Sequence, residues 1–148
     1  MNLPVASRVI GFTQPPPNGV VSVGVIFDPS NAASQAEAAA IEQQASGGLA
    51  TGRGTIRVRR IPVSALGGLA GIRVAFVTVG VREQQQVADL AARNSILTIT
   101  SDLACVQAAR CVVGITGGSQ PQITVSRAAA KAAKVRFGSA FLMLVKEI

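Results

Sequence analysis

The chain has 148 residues, 49% of them apolar and 14% charged, with a formal charge of +7 and no histidine, tyrosine or tryptophan. That composition excludes a disordered chain and points to one globular domain over residues 1–148, long enough to bury about two-thirds of its unfolded surface. No apolar run reaches the ~20 residues of a bilayer span, so membrane insertion is not expected, and without histidine the usual triads and imidazole acid–base chemistry are excluded.

The first segment, "MNLPVASRVIGF", holds only Arg8 and lacks a charged-then-apolar leader. No secretory signal is visible in it, so either the chain is cytoplasmic or a leader lies outside this stretch. "TQPPPNG" reads as a rigid lead-in loop. "VVSVGVIFD" (Val20 to Asp28) is a β-branched strand ended by "DPSN", where Ser30 or Asn31 can cap the next helix. That helix is "AASQAEAAAIEQQA", rich in strong helix formers and stopped by "SGG". "TIRVRRIPV" and "GIRVAFVTVG" read as the second and third strands, "REQQQVADLAARN" as a helix and "SILTIT" as the fourth strand. Strands separated by helices of this length predict a mainly parallel sheet with right-handed crossovers and helices on both faces.

Beyond Ser101 the rhythm changes. "CVVGIT" and "QITVS" flank the turn-rich "GGSQP", which predicts an antiparallel hairpin at the sheet's edge. "RAAAKAAK" is a short helix. In "GSAFLMLVKEI", the spacing of Phe141, Leu142, Leu144 and Val145 predicts the buried stripe of a terminal helix. The sum is a single-domain mixed α/β sandwich of the doubly wound kind.

Chemistry-bearing motifs are few. "GGLATGRGT" (Gly47 to Thr55) has Arg53 and Gly54 where a phosphate loop needs Lys then Ser or Thr, and it leaves a helix instead of opening one. It reads as a flexible helix-to-strand connection. The basic clusters "RVRR" and "RAAAKAAKVR" are not interleaved with aromatic rings, so a solvated basic surface is preferred to nucleic-acid binding. The carboxylates are dispersed, with no pair set for acid–base work and no metal cluster. Asp28 and Gly80 fall at the carboxyl ends of strands, where α/β sheets place ligands. They are the candidate ligand-binding residues, although Asp28 beside Pro29 also reads plainly as a turn residue, and Asp102 after Ser101 as the start of a helical turn.

The two cysteines, Cys105 and Cys111, lie six positions apart. Their surroundings allow two inert buried thiols or a disulfide closing a small loop. On an unbroken helix that spacing puts the Cα atoms about 9 Å apart, out of reach of an S–S bond. A bridge therefore requires "VQAAR" to turn back.

"SILTITSDLACVQAARCVVGIT", "ITVSRAAAKAAKVRFGSAFLMLVKEI" and, upstream, "IRVRRIPVSALGGLAGIRVAFVTVG" resemble segments of the YfiR family of small bacterial proteins over residues 8–148. The chain departs from that pattern at Gln14, which stands at the family's common Trp, at Ser126 (common Asn), at Lys134 (common Gly) and at Gly138 (common Ser). The resemblance implies an α/β sandwich, a periplasmic location and a disulfide between Cys105 and Cys111. It further implies a regulatory binding protein, with no enzymatic activity and no cofactor, that represses a membrane-bound diguanylate cyclase in cyclic-di-GMP signalling. The partner would be the cyclase's periplasmic sensor domain, repression would respond to redox state, and a homodimer is allowed. The alternative function, from a different class, is a small-ligand-binding α/β domain related to solute-binding receptors, with its ligand near Asp28 and Gly80.

Overall fold

The computed structural model describes residues 1–148. Helix α1 (Leu3–Gly11) opens the chain, its first turn fixed by Asn2, whose side chain accepts a hydrogen bond from the Val5 N–H. Strand β1 (Asn18–Phe27) is followed by α2 (Ala32–Gln44), then by the hairpin β2 (Leu49–Thr51) and β3 (Arg53–Pro62). A 3-10 helix over Val63–Leu69 leads to β4 (Val74–Val77), α3 (Gln84–Asn94) and β5 (Leu97–Thr100). The chain ends through α4 (Leu103–Gln107), β6 (Val113–Thr116), β7 (Gln122–Val125), α5 (Arg127–Ala132), α6 (Ser139–Leu142) and β8 (Lys146–Glu147).

All eight strands form one sheet in the order β2-β3-β1-β4-β5-β6-β7-β8. β3, β1, β4, β5 and β6 are parallel, β2 and β7 run antiparallel to their neighbours, and β8 pairs parallel with β7. The expected parallel sheet and antiparallel β6–β7 hairpin are thus both present. The central strands read as continuous apolar runs because both faces are covered. On one face α1, α2, α5 and α6 pack over Val23, Val25, Phe76 and Ile99; on the other, the 3-10 helix, α3 and α4 cover Ile26, Ala75 and Val77.

Two local readings are corrected and one element is added. The stretch Gly47 to Thr55 is not a loose connection: β2 folds back on β3 through Gly52, whose φ of +53° suits glycine. The amino-terminal segment is a buried helix. The predicted terminal helix stops after one turn at Leu142, and Leu144, expected inside, is 80% exposed. The residues that follow pair with β7 instead, with the Ile148 N–H donating to the Val125 carbonyl and the Arg127 N–H to the Ile148 carbonyl. An open strand edge supplies backbone partners that a helical turn exposed to water does not, and here it overrides side-chain periodicity.

Candidate functional site

The parallel strands change their direction of succession at β1, with β3 on one side and β4 on the other. The switch point, where doubly wound sheets place ligands, is therefore the crevice beyond the carboxyl ends of β1 and β4. Asp28 follows β1 and Gly80 follows β4, so the fold brings both sequence candidates to this crevice.

Apart from one oxygen of Glu83, the buried side-chain polar atoms there are satisfied internally. The Asp28 N–H donates to Ser34 Oγ at 2.8 Å, Ser34 Oγ lies 2.7 Å from Thr78 Oγ1, and the Thr78 hydroxyl donates to the Ile26 carbonyl at 2.8 Å. Ser34 and Thr78 are wholly buried, and this relay gives both of their hydroxyls a partner at the seam. Asn31 caps α2 by accepting from the Ser34 N–H, and its side chain packs on Gly80, where an added Cβ would lie 2.6 Å from it. Glu37 of α2 closes the far wall: its Oε1 accepts from the Val79 N–H, and its Oε2 from the Ser101 hydroxyl and the Met1 ammonium. Asp102 caps α4 through the Ala104 N–H and accepts from the Gln84 side chain. Glu83 Oε2 is the one buried side-chain oxygen without a partner.

Asp28 itself is held below its ordinary pKa of 3.8, first by the Ser30 hydroxyl and then by the Ser30 N–H, both donating to Oδ1; desolvation opposes them, and Arg82 adds the least of the four effects, lowering it further. A depressed carboxylate contributes stability that is present in full above its unfolded pKa and is lost as pH falls through the folded one. Asp28→Asn is therefore expected to melt below the wild type at neutral pH, with the gap closing as pH drops through and below 3.8. Melting curves at stepped pH check this, and a gap that stays constant into acid contradicts it.

A basic cleft lies at the opposite end of the sheet. Its cavity measures about 80 Å³ and sits at the amino ends of β1, β4 and β5, between the end of α1, the loop after it and the loop after α5. Its floor is apolar, from Ile10, Val21, Val74 and Leu97, all buried. Its rim carries Arg73, Lys134 and Arg136, all exposed, with Gln14, Thr13 and Ser95. No carboxylate lines it, and none of the three cations belongs to either salt bridge of the molecule, Met1–Glu37 or Arg60–Glu42. The Gln14 N–H donates to the Arg136 carbonyl at 2.8 Å, and Thr13 pairs with Phe137, which ties the two loops together. Unpaired cations around an apolar floor of this size suit a small anionic group.

Lys134 reaches this rim in the left-handed conformation, φ +58°, as the residue that ends α5; the Val135 N–H then returns to the Ala130 carbonyl. That position normally holds Gly or Asn, because a Cβ is disfavoured there by about 1–2 kcal/mol. Ser95 does the same after α3, at φ +54°. Sequence reasoning placed no function on these cations. The available signal was Lys134 standing where the resemblance has Gly.

The structure joins Cys105 and Cys111 in a disulfide, with Cα atoms 5.3 Å apart. After α4 the chain turns back through Ala109 at φ +58°, and the Arg110 and Cys111 N–H groups both return to the Cys105 carbonyl. Such bonds persist in oxidising compartments. No helix is long and apolar enough to cross a membrane.

No protein-family model matches the chain, and no curated protein matches it. Among solved structures it is similar to the ligand-free, open structure of CD0873, a substrate-binding protein with adhesive properties from Clostridium difficile, with a TM-score of 0.64 and 16% identity. The alignment covers 86% of this chain and 54% of that one, so the chain spans about half the length of that structure. At this identity the likeness is one of fold: a mixed, mainly parallel α/β sheet with helices on both faces.

Proposed function

We propose that the chain is a non-catalytic binding domain of an oxidising compartment that takes a small anionic ligand in the basic cleft at the amino ends of β1, β4 and β5. The observation that carries this reading is the convergence of Arg73, Lys134 and Arg136, unpaired, over an apolar floor. The fold-level likeness to about half of a substrate-binding protein supports it. The switch-point crevice supports it by contrast, since the donors and acceptors around Asp28 and Gly80 already serve one another.

The expected result is a rise in melting temperature with inorganic phosphate or a small organic anion, because a ligand at 100 times its Kd stabilises by about 2.7 kcal/mol. Arg73→Glu and Arg136→Glu should each weaken binding roughly tenfold or more, as loss of a charge-assisted hydrogen bond implies. Lys134→Gly separates function from fold: stability should rise by about 0.5–1 kcal/mol as the left-handed strain is relieved, while anion affinity falls. A panel of phosphates, sulfates and carboxylates that leaves both the melting curve and calorimetric titration flat ends this reading.

A second reading is favoured by a separate observation. The Cys105–Cys111 bond closes at the turn where the resemblance to the YfiR family implies it. On that reading the chain is a periplasmic regulator that restrains a membrane-bound diguanylate cyclase, and the disulfide holds a partner-binding surface. Co-purification with the sensor domain of such a cyclase, lost on reduction, tests it; association that is indifferent to reductant removes the disulfide from the mechanism.

A further inference from the structure

Strand β1 outruns its neighbour on one side. It pairs with β3 over its whole length, Asn18–Phe27, but with β4 only at Val23–Ile26. In a parallel ladder the N–H and C=O of one residue point to the same side, and the side alternates along the strand. The Thr78 N–H and hydroxyl both reach the Ile26 carbonyl, so Ile26 faces the β4 side, and alternation turns Val20 and Ser22 the same way. The backbone groups of Val20 and the Ser22 N–H therefore open into a notch below the start of β4, where Val20 is 64% exposed.

Open edges of this kind pair with other chains unless they are blocked. The two outer edges of the sheet are blocked. β2 lies against α1, with the Thr51 hydroxyl donating to the Ser7 carbonyl, and β8 is only Lys146–Glu147, two charged residues. The Val20 edge has neither defence. The notch ends at Arg73, the residue before β4, and opens onto the basic cleft, which Val21 and Val74 also line. On the neighbouring strand, Arg57 stands beside Ser22 and Arg53 beside Asn18, both exposed.

We propose that this edge accepts an extended acidic peptide as an added strand. The peptide runs parallel to β1 and in line with β4, so that its terminal carboxylate and acidic side chains meet Arg73, Lys134 and Arg136. Main-chain hydrogen bonds to Val20 and Ser22 hold the strand, and the cations select its charge. The inference rests on the cleft being an anion site and names the occupant. A second copy of this chain fits less well, since two edges flanked by arginine would meet.

The probe is the fluorescent peptide TVTVTVEE with a free carboxyl end, set against an amidated version ending in two lysines and a version N-methylated at alternate backbone amides. Inorganic phosphate, titrated by calorimetry, reports on the cleft alone. The acidic peptide is expected to bind, and the lysine and N-methylated peptides to bind about tenfold more weakly or not at all. Val20→Pro, which removes one edge N–H, should weaken the acidic peptide about tenfold while phosphate binding stays within about twofold, a result that also shows the variant is folded. Equal binding of the three peptides overturns the proposal, as does acidic-peptide binding unchanged by Val20→Pro, and both outcomes leave the cleft reading standing. A dimer in sedimentation that Val20→Pro dissociates gives the edge to a second copy and also overturns it. If phosphate fails to bind as well, the cleft reading falls and this inference falls with it.

Discussion

The Cys105→Ser, Cys111→Ser double variant is expected to lose about 2–3 kcal/mol of unfolding free energy, the loop-closure entropy of so short a ring. For a chain of this size that lowers the melting temperature by roughly 6–12 °C. Cys105, on α4, and Cys111, after it, are fully buried in the apolar cluster that also holds Val87 and Val106. Serine adds a cost there, because its hydroxyl enters an apolar site. The matching double alanine variant separates the two effects: it keeps the entropic loss and leaves no polar atom behind. Reductant added to the wild type should reproduce most of the shift. Backbone bonds from Arg110 and Cys111 to the Cys105 carbonyl already hold the turn. Melting midpoints unchanged across both variants would mean that those bonds suffice and that the covalent link does not carry stability. Under the regulatory reading, the same variants should also weaken partner binding.

The disulfide shows where sequence reasoning was well placed and where it needed help. The six-residue spacing excluded a bridge on a continuous helix and demanded a reversal within "VQAAR", which the structure supplies at Ala109. Spacing alone did not choose between a bridge and two buried thiols; that choice came with the resemblance. The parallel core was legible because β1, β4 and β5 are short apolar runs bounded by turn residues and alternating with Ala-rich or Gln-rich helices. Helix α1 was legible in principle, since Asn2 and Pro4 form a helix-start pattern ahead of Val5, Val9 and Ile10 on its buried face. The last turn was not legible. Phe141, Leu142, Leu144 and Val145 satisfy helical periodicity, and only the neighbouring open edge of β7 decides against it. The basic cleft was invisible for a similar reason, because Arg73 and Arg136 are 63 positions apart in sequence (136 − 73) and meet only when β4 and the loop after α5 end at the same side of the sheet.

Gly80→Val is the substitution that most sharply distinguishes a structural crevice from a ligand site at the switch point. Gly80 sits at φ +81°, which an L residue with a branched Cβ adopts at a cost of about 1–2 kcal/mol. The new Cβ also falls 2.6 Å from the Asn31 side chain, and Asn31 is the cap of α2. Pushed aside, it releases the Ser34 N–H, a loss worth about 1 kcal/mol by analogy with other N-caps. Ser34 is in turn the link between the Asp28 N–H and Thr78, so the buried relay loosens with it. The expected total is about 2–3 kcal/mol of lost stability, with phosphate affinity at the distant basic cleft unchanged once the variant is measured below its melting range. Gly80→Ala keeps the left-handed strain with less crowding and should fall between the two. If Gly80→Val abolishes anion binding while its unfolding curve matches the wild type, the ligand belongs beside Asp28 and Gly80 after all, and the cleft cations only steer it there.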